Sequence, residues 1–114
     1  EWTVKSIVPV VKAVPDAKFL ILNVANGIFV DKGGDMELFR KAEIVFDTSG
    51  RQVSNLGNLL KTYGNGKFAF GTHSPFLDYL TGMLRIAALR EAEADDNVRA
   101  LVRSGNAKRI LGIV

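Results

Sequence analysis

The sequence predicts an α/β domain built on a short parallel sheet, and three observations carry that prediction. Residues 18–24, 42–48 and 67–72 are short runs rich in aromatic and aliphatic side chains, the pattern of strands buried on both faces. Each run is closed by polar or glycine residues. Each is also followed by helix-like sequence, which is the alternation of a βαβ unit. A hydrophobic fraction of 47% and a charged fraction of 24% are those of a folded chain rather than a disordered one.

The elements follow in order. Val4, Ile7, Val8 and Val11 share one helical face ahead of the first strand, and Pro9 is expected to kink or delimit that helix. Asp35 is placed to cap a short helix carrying Met36, Leu38 and Phe39. Val53, Leu56, Leu60 and Tyr63 form one apolar stripe. Gly64 then stops the helix and Asn65-Gly66 turns into the third strand. Leu77, Leu80, Met83, Leu84, Ala87 and Ala88 predict a longer amphipathic helix with that set as its inner face. Asp95 or Asp96 caps the next helix, expected to bury Val98, Leu101 and Val102 and to end at Ser104-Gly105. Asn106 then caps a last turn bearing Ile110 and Leu111. No repeat beyond the βα unit and no linker divides the chain, so residues 1–114 are taken as one unit.

Charge and composition narrow the function. The formal net charge is +3, and most of the fifteen basic residues have acidic neighbours in sequence. Arg99, Arg103, Lys108 and Arg109 come closest to a cluster. No aromatic residue interleaves with them, so the expectation is a solvated helix face and not a nucleic-acid surface. The absence of cysteine excludes disulfides, thiolate chemistry and Cys-based zinc sites. No apolar run reaches the roughly 20 residues of a membrane span, and no signal peptide is visible; the compartment is left open, with a cytoplasmic protein as the expectation. The chain opens on Glu1-Trp2 rather than Met, so an upstream part of the parent protein is expected.

In parallel α/β folds the site lies at the carboxyl ends of the strands. That rule selects Asn23 with Asn26, then Asp47-Thr48-Ser49, then Thr72-His73-Ser74-Pro75. His73 is the only histidine. As a general base it needs an orienting carboxylate, and Asp47, one strand away, is the candidate. As a metal ligand it needs partners, and zinc usually takes three protein ligands of the His/Asp/Glu type. Asn23, a neutral oxygen donor, is a poor one. The plainer reading, in which these residues only cap strands and turn the chain, stands beside the functional one. Ser49 and Ser74 lie in no G-x-S-x-G elbow and read as turn-forming residues or substrate contacts. Gly33-Gly34 and Gly64-Asn65-Gly66 do not make a phosphate loop.

Four segments together resemble one family. Residues 67–75, Lys-Phe-Ala-Phe-Gly-Thr-His-Ser-Pro, resemble the eighth strand of the amidohydrolase-related barrels, an apolar run followed by Gly-Thr/Ser-Asp-x-Pro. Residues 105–113 resemble the family's closing helix, with its Gly-Asn-Ala lead and Leu-Gly end. Residues 43–50 are similar to its seventh strand, and residues 15–27 to its Pro-Asp turn and sixth strand. The resemblance implies parallel βα units forming the C-terminal part of a (β/α)8 barrel, incomplete on its own, since a whole barrel needs at least roughly 200 residues.

The family's chemistry implies a divalent metal, often zinc, that polarises a water or a substrate carbonyl for hydrolysis or decarboxylation. Its His-x-His and fifth-strand histidine would lie upstream of this chain. Two ligand positions remain, and both depart from the pattern. Asn23 stands where histidine is common, and His73 stands where aspartate binds metal and takes a proton from water.

The expected protein is therefore a diverged metal-dependent hydrolase of a small carbonyl substrate, inactive as an isolated chain and metal-free in that state. His73 and Asp47 would be catalytic and His73 and Asn23 metal-facing. Asn26, Ser49 and Ser74 would line the substrate pocket. Two alternatives remain. One is a non-catalytic descendant of the same fold. The other is an independent α/β module with unprotected sheet edges and a bare apolar face; that module and an isolated barrel fragment alike are expected to form homo-oligomers.

Overall fold

The computed structural model describes residues 4–22, 34–49, 56–72, 74–75 and 79–114. The elements run α1 (Val4–Ala13), β1 (Phe19–Ile21), α2 (Gly34–Lys41), β2 (Ile44–Asp47), α3 (Leu56–Tyr63), β3 (Phe68–Ala69) and α4 (Tyr79–Ala87). A final helical stretch follows, made of α5 (Asp96–Ala100), a π turn (Leu101–Gly105) and α6 (Asn106–Leu111). The three strands pair in parallel in the order β1-β2-β3, with Phe19 opposite Ile44 and Phe46 opposite Phe68. The small parallel α/β domain expected from the sequence is present. The strands are shorter than their apolar runs.

Alternation along the strands sorts side chains to two faces. Ile44, Phe46 and Phe68 point to the main core with Phe19, Ile21 and Phe70, where they meet Val8 and Val11 of α1, Phe39 of α2, and Leu56, Leu59, Leu60 and Tyr63 of α3. Aromatic rings lock this layer: Phe46 stands edge-on to Phe39 at 5.8 Å and to Tyr63 at 6.3 Å. Val45 and Ala69 face the other way and pack with Ile110 of α6, flanked by Leu20 and Ala107. The second face is therefore covered at Val45 and Ala69, contrary to the bare surface expected of an open module.

Several expectations are corrected. Pro9 does not delimit α1, which runs through it from Val4 to Ala13. Burial of Val8 and Val11 on either side holds the helix together despite the backbone hydrogen bond that proline removes. Asp35 lies inside the first turn of α2 and does not precede it, so it acts on the helix dipole. Val53 and Leu77 lie outside the described residues.

The apolar set expected to face inward on α4 faces out. Leu80 and Leu84 are 63% and 65% exposed, while Gly82 and Ile86 are buried. An ideal Cβ on Gly82 would stand 3.1 Å from Phe70 and 3.5 Å from the Thr72 methyl, so only the glycine side of α4 can lie this close to the end of β3. The edge-to-face pair of Phe70 with Tyr79, at 5.7 Å, fixes the same rotation.

Asp95 caps α5 as expected, its carboxylate accepting from Val98 N–H at 2.9 Å. Val102 is buried, but Leu101 is exposed. Ser104-Gly105 does not end the helix. Gly105 keeps right-handed helical angles and leaves room for Leu101 Cδ2, 3.1 Å from where a Cβ would sit. Asn106 does not cap a turn. It is helical and 1% exposed, and its side-chain amide donates to Asn65 O and Phe68 O, both at 2.8 Å. Gly64 does stop α3, with a φ of 109° that other residues rarely adopt.

Candidate functional site

The polar residues at the end of β2 are held by the end of β3. Asp47, Thr48 and Ser49 are all buried. A buried carboxylate is costly unless it is hydrogen-bonded, and Ser49 Oγ donates to Asp47 Oδ2 at 2.6 Å, the length of a charge-assisted bond. Thr48 joins the strands twice. Its N–H donates to Ala69 O at 2.8 Å, and its Oγ1 accepts from Gly71 N–H at 3.2 Å.

Gly71 completes the arrangement by having no side chain. A Cβ there would sit 2.6 Å from Asp47 Oδ2 and 3.0 Å from its Cγ. The carboxylate fills the volume that any other residue at 71 would claim. Farther on, Thr72 Oγ1 accepts from Ser74 N–H at 3.1 Å, and the Ser74–Pro75 peptide is cis.

Of the six site residues chosen from sequence, Asp47 and Ser49 are brought together in one hydrogen-bonded pair. Ser74 sits in the exposed turn beyond β3. His73, Asn23 and Asn26 lie outside the described residues. Thr48 belongs to the strand end selected from sequence but was given no role, and Gly71 was not singled out. Gly71 was marked only by its place directly after the aromatic run, where a strand interior would otherwise avoid glycine.

A fixed carboxylate at a strand end is suited to orienting a neighbouring base. It is a poor cation site by itself. Oδ2 is engaged by Ser49, and no group of three His, Cys, Asp or Glu side chains converges among the described residues. That donor set does not fit a divalent metal.

Elsewhere, two of the four basic residues near the C-terminus have local partners. Arg99 binds Asp96 at 3.0 Å, Glu91 at 3.3 Å and the Leu89 carbonyl, and Arg109 binds Glu43 and Gly66 O. Among the described residues no helix is long and apolar enough to cross a membrane. No protein-family model, curated protein or solved structure matches the chain.

Proposed function

We propose that the chain is the C-terminal part of a diverged amidohydrolase-type hydrolase, acting on a small carbonyl substrate and inactive without the strands that complete its barrel. The observation that carries this reading is the meeting of polar groups at adjacent strand ends. Three parallel strands in sequential order bring Asp47, Thr48 and Ser49 beside Gly71 and Thr72 at the carboxyl edge, where such barrels do their chemistry. In this reading Asp47, steadied by Ser49, orients His73, and His73 moves the proton. Asn23, Asn26 and Ser74 line the pocket. The described residues supply no metal-binding set, so any zinc would depend on His73, Asn23 and donors from other strands. His73→Ala in the intact protein should abolish turnover of a small amide or carboxylated carbonyl substrate. Wild-type turnover in that variant would remove His73 from the mechanism.

A second reading is favoured by the outer edge of β3. In a closed barrel that edge pairs with another strand, yet here Phe68 O and Phe70 N–H bond to Asn106 and Val102. That arrangement suits a non-catalytic α/β module that is metal-free and self-associates through the exposed apolar face of α4. Light scattering on the intact protein, before and after Leu84→Glu, checks the association. A strictly monomeric wild type would count against this second reading.

A further inference from the structure

Backbone polar groups alternate sides along a strand. Lys67 O and Ala69 O accept from Phe46 of β2 and from Thr48 just after it, so Phe68 and Phe70 present their groups to the opposite, outer edge. Such an edge is a template for another strand. Here it is occupied. Phe68 O accepts from Asn106 Nδ2 and Phe70 N–H donates to Val102 O, each at 2.8 Å.

The π turn makes both contacts possible on one helix. Asn106 N–H reaches five residues back to Leu101 O, and the Val102 carbonyl, one residue along, accepts from the strand. The extra residue also rotates the following helix by about 100° relative to a regular continuation, which sets Asn106 against β3. π turns are rare and are found mostly where they serve a purpose.

We propose that the π turn and Asn106 form an edge lock. The helical stretch of residues 96–111 occupies the hydrogen-bonding edge of β3, and Asn106 keeps it seated. Unseating Asn106 opens Phe68 O and Phe70 N–H to strand pairing with a second copy of the chain. The lock rests on the second reading, in which no neighbouring strand takes the outer edge of β3 as it would in a closed barrel, and it is tested without a substrate.

The test is nuclear magnetic resonance on the intact protein. The lock predicts a through-hydrogen-bond coupling between Phe70 N and Val102 C′, and Phe70 amide exchange as slow as that of Phe46. Asn106→Asp keeps the side chain's shape and removes its donor. It should speed Phe70 exchange about tenfold relative to Phe46, the order of one net hydrogen bond, and shift the protein to larger assemblies. Asn106→Ala, which buries no charge, is the second variant and should do the same. Absence of the coupling in the wild type overturns the lock, whatever the variants do. So does a folded variant with unchanged Phe70 exchange and unchanged assembly.

Discussion

Asp47 tolerates burial because three neighbours make room for it and bond to it. Ser49 supplies a donor, Thr48 ties its segment to β3, and Gly71 leaves the space its carboxylate fills. Ser49→Ala should therefore cost about 1–3 kcal/mol in urea unfolding, the penalty for removing a partner from a buried polar group. Gly71→Ala should cost a similar ~1–3 kcal/mol through overpacking. That cost should shrink when Asp47 is already alanine, so the double-mutant cycle should show a coupling energy. Additive effects would mean that the carboxylate does not lie against Gly71. Lys67 gives a residue-scale prediction in pH. Burial lowers its pKa from 10.5, Glu43 opposes this and Arg109 adds to it. The folded state then binds fewer protons than the unfolded state between the lowered value and 10.5, so this contribution to stability rises with pH across that window. Lys67→Met should remove the rise, seen by comparing the pH dependence of the two unfolding midpoints.

At the scale of elements, periodicity located the helices but could not orient all of them. The stripe of α3 was legible because Asn58 and Lys61, on its other side, are polar and exposed. The helix α4, Tyr-Leu-Thr-Gly-Met-Leu-Arg-Ile-Ala, is apolar on more than one side. Its rotation is set by close approach at Gly82, a tertiary contact that no window of sequence displays. Leu80→Ser and Leu84→Ser should each change stability by no more than about 0.5 kcal/mol, whereas Ile86→Ala should cost about 2–5 kcal/mol. Reversed magnitudes would restore the inner face expected from the spacing. Asn106 was misread for a related reason. Ser-Gly-Asn is a sound stop-and-cap signal in isolation, but the same residues serve a π turn when a strand edge lies alongside. Deleting Ser104 should convert the turn to a regular helix and carry Asn106 away from β3, with loss of Phe70 amide protection as the readout.

For the molecule as a whole, the parallel sheet was legible because each strand is an unbroken apolar run bounded by turn residues. The two-sided cover was not, because α6 reaches Val45 and Ala69 from far along the chain. The candidate site was legible as a place, the carboxyl ends of the strands, with Asp47-Thr48-Ser49 at one of them; the sequence reading paired Asp47 with His73, and the Ser49 bond to Asp47 was not foreseen. The bonds of Thr48 to Ala69 and Gly71 were not legible, since they run between strands. The proposed function makes these strand ends part of a diverged metal-dependent hydrolase whose remaining metal donors lie on other strands. Its most direct measurement is the metal content of the intact protein, purified without chelator, beside that of His73→Ala. The account predicts about one equivalent of a divalent metal in the wild type, the complement of a single catalytic site, and its loss in the variant. A metal-free wild type would contradict it and leave the non-catalytic module.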